Sequence, residues 1–136
     1  MSKIRVLLAD DNMQLVKLVR KLLSADGCEV VGTVIEGQAA LDAAVKLRPD
    51  VVVLDISMPV LNGIQAAKRL RQVDPDARIV FLTAHKDPDF CCAALKTGAL
   101  GYVLKSCMDT DLIPAIELAT GGSRFVSHGC ESALIL

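Results

Sequence analysis

Short apolar runs alternate with helix-period stripes along this chain, and strict alternation leaves few folds open. Residues 4–9, 29–32, 50–54, 77–82 and 100–104 read as strands. Between and after them, apolar residues recur at helical spacing: Leu15, Leu18, Val19 and Leu22, then Ala40, Ala43, Ala44 and Leu47, then Ile64, Ala67 and Leu70, and finally Leu112, Ile113, Ile116 and Ala119. A fourth helix starts where Asp87 offers an N-cap and Pro88 a first helical residue, and it runs to Gly98. Glycine or proline closes the others, at Gly27, Pro49, Pro75 and Gly121-Gly122. Val51, Val52 and Val53 are apolar in succession, as in a strand covered on both faces. Five strands and five helices in this order predict a right-handed, doubly wound parallel α/β sheet.

The 136 residues suffice for one domain with a substantial core, and an apolar fraction of 52% with few aromatics makes that core one of Val, Leu, Ile and Ala. A net charge of −1 gives no bulk attraction to nucleic acid or an anionic membrane, so nucleic-acid contact by this segment alone is not expected. Met1-Ser2-Lys3 leads straight into the first strand without a signal-peptide pattern, and no apolar run is long enough to span a bilayer. A soluble cytoplasmic protein is the expectation. The five cysteines (Cys28, Cys91, Cys92, Cys107 and Cys130) form no Cys-x-x-Cys pair, and reduced thiols fit that setting. Cys91-Cys92 reads as two small helix residues rather than a soft-metal site, and Cys107 as the most exposed thiol. Gly27, Gly32 and Gly37 lack a dinucleotide-binding order, and no P-loop occurs, which excludes both nucleotide-enzyme classes.

The chemistry gathers at strand ends. Asp10 and Asp11 close the first strand and Asp55 the third, at the carboxyl edge where open α/β sheets place their ligands. A lone aspartate there is ordinarily a helix cap. Three converging carboxylates repel one another and raise their own pKa values unless a cation compensates. Oxygen ligands without a Cys/His cluster favour Mg²⁺ or Mn²⁺, which ties the crevice to phosphoryl chemistry. Thr83 follows the fourth strand and Lys105 the fifth, so a hydroxyl and an ammonium are placed to bind phosphoryl oxygens, with Asp55 as the nucleophile. Ser57 and His85, each two positions past a site residue, are placed to border the pocket and modulate how water reaches an acyl phosphate, with an exposed loop histidine the equal alternative for His85. Tyr102, on the outermost strand of a five-strand order, is either simple packing or a switch coupled to the threonine. His128 in the tail is incidental.

These residues resemble the receiver domain of bacterial two-component response regulators over residues 3–122. Asp10-Asp11 looks like the family's metal-binding pair. Asp55, within Leu54-Asp55-Ile56-Ser57-Met58-Pro59 and followed by Asn62-Gly63, matches the phosphoacceptor. Thr83-Ala84 and Lys105 match the switch hydroxyl with its small neighbour and the site lysine, and Tyr102 takes the aromatic switch position. The resemblance implies a flavodoxin-like (CheY-like) strand order 2-1-3-4-5 and a metal completed by the backbone carbonyl of Ser57. It also implies a sensor histidine kinase as donor, and no enzymatic activity beyond self-phosphorylation and slow self-dephosphorylation. The output or homodimer face would be built by the fourth helix, fifth strand and last helix. Gly98-Ala99-Leu100-Gly101-Tyr102-Val103-Leu104-Lys105 and the approach Gly121-Gly122-Ser123-Arg124-Phe125-Val126-Ser127 look most like the LuxR/NarL-type helix-turn-helix subfamily. DNA binding would then belong to a C-terminal effector of a longer parent, with residues 1–122 as receiver and 123–136 as tail or linker. A stand-alone receiver acting as a phosphorelay or kinase-binding module is the alternative, and a metal-dependent aspartyl phosphohydrolase is a third. Two departures stand out. Lys105 precedes Ser106 rather than proline, which disfavours a cis bond there. Pro114 falls past the first turn of a last helix capped by Asp109 and within it if Asp111 caps, so a late start or distorted first turn is predicted.

Overall fold

The computed structural model describes residues 3–127; His128, Cys130 and the apolar end 133–136 lie outside the described residues. Strand and helix alternate as β1 (Arg5–Ala9), α1 (Met13–Ala25), β2 (Glu29–Val34), α2 (Gly37–Leu47), β3 (Val51–Leu54), α3 (Gly63–Val73), β4 (Ile79–Thr83), α4 (Pro88–Lys96), β5 (Gly101–Leu104), α5 (Met108–Thr120) and β6 (Phe125–Val126). The strands form one parallel sheet in the order β2-β1-β3-β4-β5-β6.

Period-two alternation sorts the strand residues between two cores. Leu7, Val52, Leu54, Ile79, Phe81 and Tyr102 pack with α2, α3 and α4 on one face. Val6, Leu8, Val51, Val53, Val80 and Val103 pack with α1 and α5 on the other. Both faces are therefore dry, which is why the central strands read as continuous apolar runs. Cys91 is buried in α4 and Cys92 half-buried beside it, as expected of small helix residues, and Cys107 is half-buried too. Burial, with Asp26 and Glu117 nearby, pushes the Cys28 thiol up.

Two features depart from the sequence reading. A sixth strand, paired in register with Gly101 and Tyr102, covers β5 and removes Tyr102 from the sheet edge. It is only two residues long, too short to show a period. The last helix also starts early. A 3-10 turn over Lys105–Cys107 runs directly into α5 at Met108, neither Asp109 nor Asp111 caps it, and Pro114 sits inside. The helix tolerates the proline because Pro114 and Thr110, whose carbonyl loses its donor, both lie on the exposed side. The backbone has no cis peptide among the described residues.

Candidate functional site

The carboxyl ends of β1, β3, β4 and β5 meet in one crevice. The ladder carries on past β3, with the Asp55 N–H donating to the Ala9 carbonyl at 3.0 Å, so Asp55 is held beside Asp10. Asn12 caps α1 through Leu15 N–H at 3.2 Å, and its own N–H donates to Asp10 Oδ1 at 2.8 Å. The cap is thus Asn12, and Asp10 and Asp11 are left to the crevice. Sequence reading passed over Asn12, although an asparagine just ahead of an apolar stripe is a cap signal.

Lys105 joins the two buried acids. Its Nζ lies 2.8 Å from Asp10 Oδ2 and 3.2 Å from Asp55 Oδ2. Burial pushes the Asp55 carboxyl up; Lys105 opposes the rise and Asp10 adds to it, and the net direction is upward. For Lys105, burial pulls the ammonium down, but Asp10 and Asp55 outweigh it and the net direction is again upward. A single lysine facing two carboxylates leaves net negative charge in a poorly solvated place.

Ligand oxygens of Asp10, Asp11 and Asp55 lie within 4.8 Å of one another, two of the residues buried and Asp11 exposed. Buried Asp10 Oδ2 touches Lys105 Nζ as an ion pair but meets no donor in hydrogen-bond alignment. An acceptor so placed, in an all-oxygen set open on the Asp11 side, fits a hard divalent cation. The cleft of about 310 Å³ lies elsewhere, beside the amino ends of β3 and β4, and none of these acids lines it.

The loop after β3 is built around close approaches. A Cβ on Gly63 would meet the Asp55 carbonyl oxygen at 2.0 Å, so only glycine lets α3 begin this near Asp55. Asn62 and Gln65 then close a capping box. Exposed Val60 holds a φ of 69°, the left-handed region, in the middle of this loop.

Thr83 is buried at the end of β4, and its Oγ1 accepts from His85 N–H at 3.3 Å. Tyr102 is fully buried, with its hydroxyl donating to the His85 carbonyl at 2.7 Å. The His85 ring is 2.7 Å from Ser57 Oγ through Nε2 and lies against Phe90 with ring centroids 4.4 Å apart. The sequence placed Ser57 and His85 separately at the rim; the structure pairs them and makes His85 the junction between Asp55's loop, Thr83 and Tyr102. Among the described residues, no helix is long and apolar enough to cross a membrane.

A family profile for the response regulator receiver domain matches residues 6–117. The chain is 36% identical over 135 residues to the response regulator GacA of Pseudomonas viridiflava, covering 98% of this chain and 63% of that one. It therefore spans under two thirds of the length of that relative. Among solved structures, a LuxR-family two-component response regulator from Aurantimonas superposes with a TM-score of 0.93 at 32% identity, covering 98% of this chain and 96% of that one. The RcsB response regulator of Salmonella typhimurium, in a structure concerned with its DNA interaction, gives 0.88 at 29% identity over 99% and 68%.

Proposed function

The chain belongs to the response regulator receiver domain family, and from that premise we propose that Asp55 takes a phosphoryl group from a phosphohistidine of a sensor histidine kinase. The α4–β5–α5 surface then changes and controls transcription through a DNA-binding domain of a longer parent protein. That surface also serves as the homodimer face. The observation that carries the reading is Lys105, held between buried Asp10 and Asp55 at 2.8 and 3.2 Å.

A carboxylate oxygen of Asp55 attacks phosphorus. The new O–P bond forms as the N–P bond breaks, and the bonding pair leaves on the imidazole nitrogen. No general base is needed, because the nucleophile is already ionised. Lys105 turns from Asp55 toward a phosphoryl oxygen, and the Thr83 hydroxyl exchanges its contact with His85 for another. Tyr102 and His85 lie on the path by which that movement reaches α4. Asp10, Asp11, Asp55 and the Ser57 carbonyl would hold Mg²⁺ or Mn²⁺, which when bound supplies the positive charge that lets an anion enter this acidic crevice. Ser57 and His85 modulate how water reaches the acyl phosphate.

A small phosphodonor with Mg²⁺ is expected to add one acid-labile phosphoryl group to the chain, and Asp55→Asn to abolish it. Labelling that survives Asp55→Asn overturns the assignment.

A further inference from the structure

The strand β6 stops at Val126, short of the end of β5, and a side chain completes the ladder. Ser127 N–H donates to the Tyr102 carbonyl at 2.9 Å, continuing the pairing. The next donor, Leu104 N–H, meets the Ser127 hydroxyl at 3.1 Å in place of a backbone carbonyl. Ser127 Oγ donates in turn to Asp111 Oδ2 at 2.8 Å. A hydroxyl has one proton, and with that proton committed to the carboxylate its lone pairs are left to accept from Leu104. The other oxygen, Asp111 Oδ1, accepts from the Thr110 hydroxyl at 3.0 Å. Ser127 is fully buried, Asp111 half-buried and Thr110 exposed, so the network runs from the edge of β5 out to the surface of α5.

Its position gives it a task. Leu104 pairs with Thr83 across β4 and β5 and immediately precedes Lys105. The backbone held from outside by Ser127 is the backbone that carries the site lysine inside. Resting on the reading of Asp55 as phosphoacceptor, we infer that Ser127 and Asp111 are positioning residues for Lys105. They fix the end of β5 so that one ammonium reaches both carboxylates, and they tie the stretch of chain after α5 to the phosphorylation site. Loss of the hydroxyl leaves the buried Leu104 N–H without its partner and takes one donor from the half-buried Asp111 carboxylate, and the turn at Lys105 loosens. Linkage makes the tie reciprocal: a Lys105 drawn to a phosphoryl group changes how firmly Ser127 is held.

The test compares phosphoramidate labelling rates, with Mg²⁺, for the full chain and its variants, each checked for folding by circular dichroism. Ser127→Ala is expected to slow labelling roughly tenfold, as small displacements of a positioned group do. Asp111→Ala, at a half-buried site that water can refill, slows it less. Ser127→Thr, which keeps the hydroxyl, restores most of the rate. In a Lys105→Ala background the Ser127→Ala change costs nothing further, because its effect passes through that lysine. Wild-type rates in the folded Ala variants overturn the inference, as does an undiminished Ser127→Ala effect in the Lys105→Ala background. Failure of the wild-type chain to label overturns the phosphoacceptor reading instead.

Discussion

Asp55 is placed where its charge costs stability, and its substitution reads out that cost. Its folded pKa is raised, above all by burial. A group raised on folding contributes stability that is fully present below the ordinary carboxylate range and is lost as pH rises through the folded value. Without metal, Asp55→Asn is therefore expected to stabilise the chain at neutral pH by about 1 kcal/mol, since it removes a buried charge and leaves Lys105 paired with Asp10. Urea midpoints should show that advantage shrinking as pH falls below the folded value; a gain independent of pH removes the electrostatic explanation. Val60 tells a similar story in the backbone. A β-branched residue at a φ of 69° is strained, and its side chain is exposed and so returns little by packing. Val60→Gly should raise stability by about 1 kcal/mol, the strain relief exceeding the added unfolded-state freedom. An unchanged or lower midpoint would mean that the isopropyl group packs more than its exposure suggests.

Among the elements, α5 carries the clearest conflict between sequence and structure. Pro114 lies inside a helix that begins at Met108, and nothing caps its start through a side chain. Asp111, which the sequence offers as a cap, spends its carboxylate on Ser127 and Thr110 instead. Because Pro114 is exposed, its replacement disturbs no packing, and Pro114→Ala should add about 2 kcal/mol by restoring a helical hydrogen bond. Thermal unfolding checks this, and a destabilised variant would show that the proline shapes a needed bend. The strand ends were legible because each buried run stops at a polar residue, which is how Asp10, Asp55, Thr83 and Lys105 stand out in the sequence itself. Asp87-Pro88 was legible for the same kind of local reason. The strain at Val60 was not, since valine bears no turn signature, and the role of Ser127 was not, since its partners are distant in sequence.

At the scale of the whole molecule, two cores on a single sheet make its edges matter. The central strands are sealed by helices on both faces, and among the described residues the edge of β5 away from β4 is covered by the two-residue β6 and Ser127. The receiver boundary at residue 122 proposed from sequence can be tested against this edge. A chain ending at Gly122 loses the Phe125 N–H bond to Leu100 at 2.8 Å, the Ser127 N–H bond to Tyr102 at 2.9 Å and the bond from Leu104 to the Ser127 hydroxyl at 3.1 Å. It also removes the half-buried Phe125 and Val126 from the edge of β5. At about 1 kcal/mol for each bond plus a smaller apolar share, the truncation should cost roughly 3 kcal/mol. A chain ending at Ser127 keeps all three of these bonds and should lose less stability than the one ending at Gly122. Chemical denaturation of the two truncations beside the full chain decides the matter. Equal stability at Gly122 would place β6 outside the cooperative unit and make residues 123–136 a true linker. The expected loss makes the segment leaving α5 part of the receiver's own sheet, so a force or contact applied beyond it acts directly on the strand that leads into Lys105.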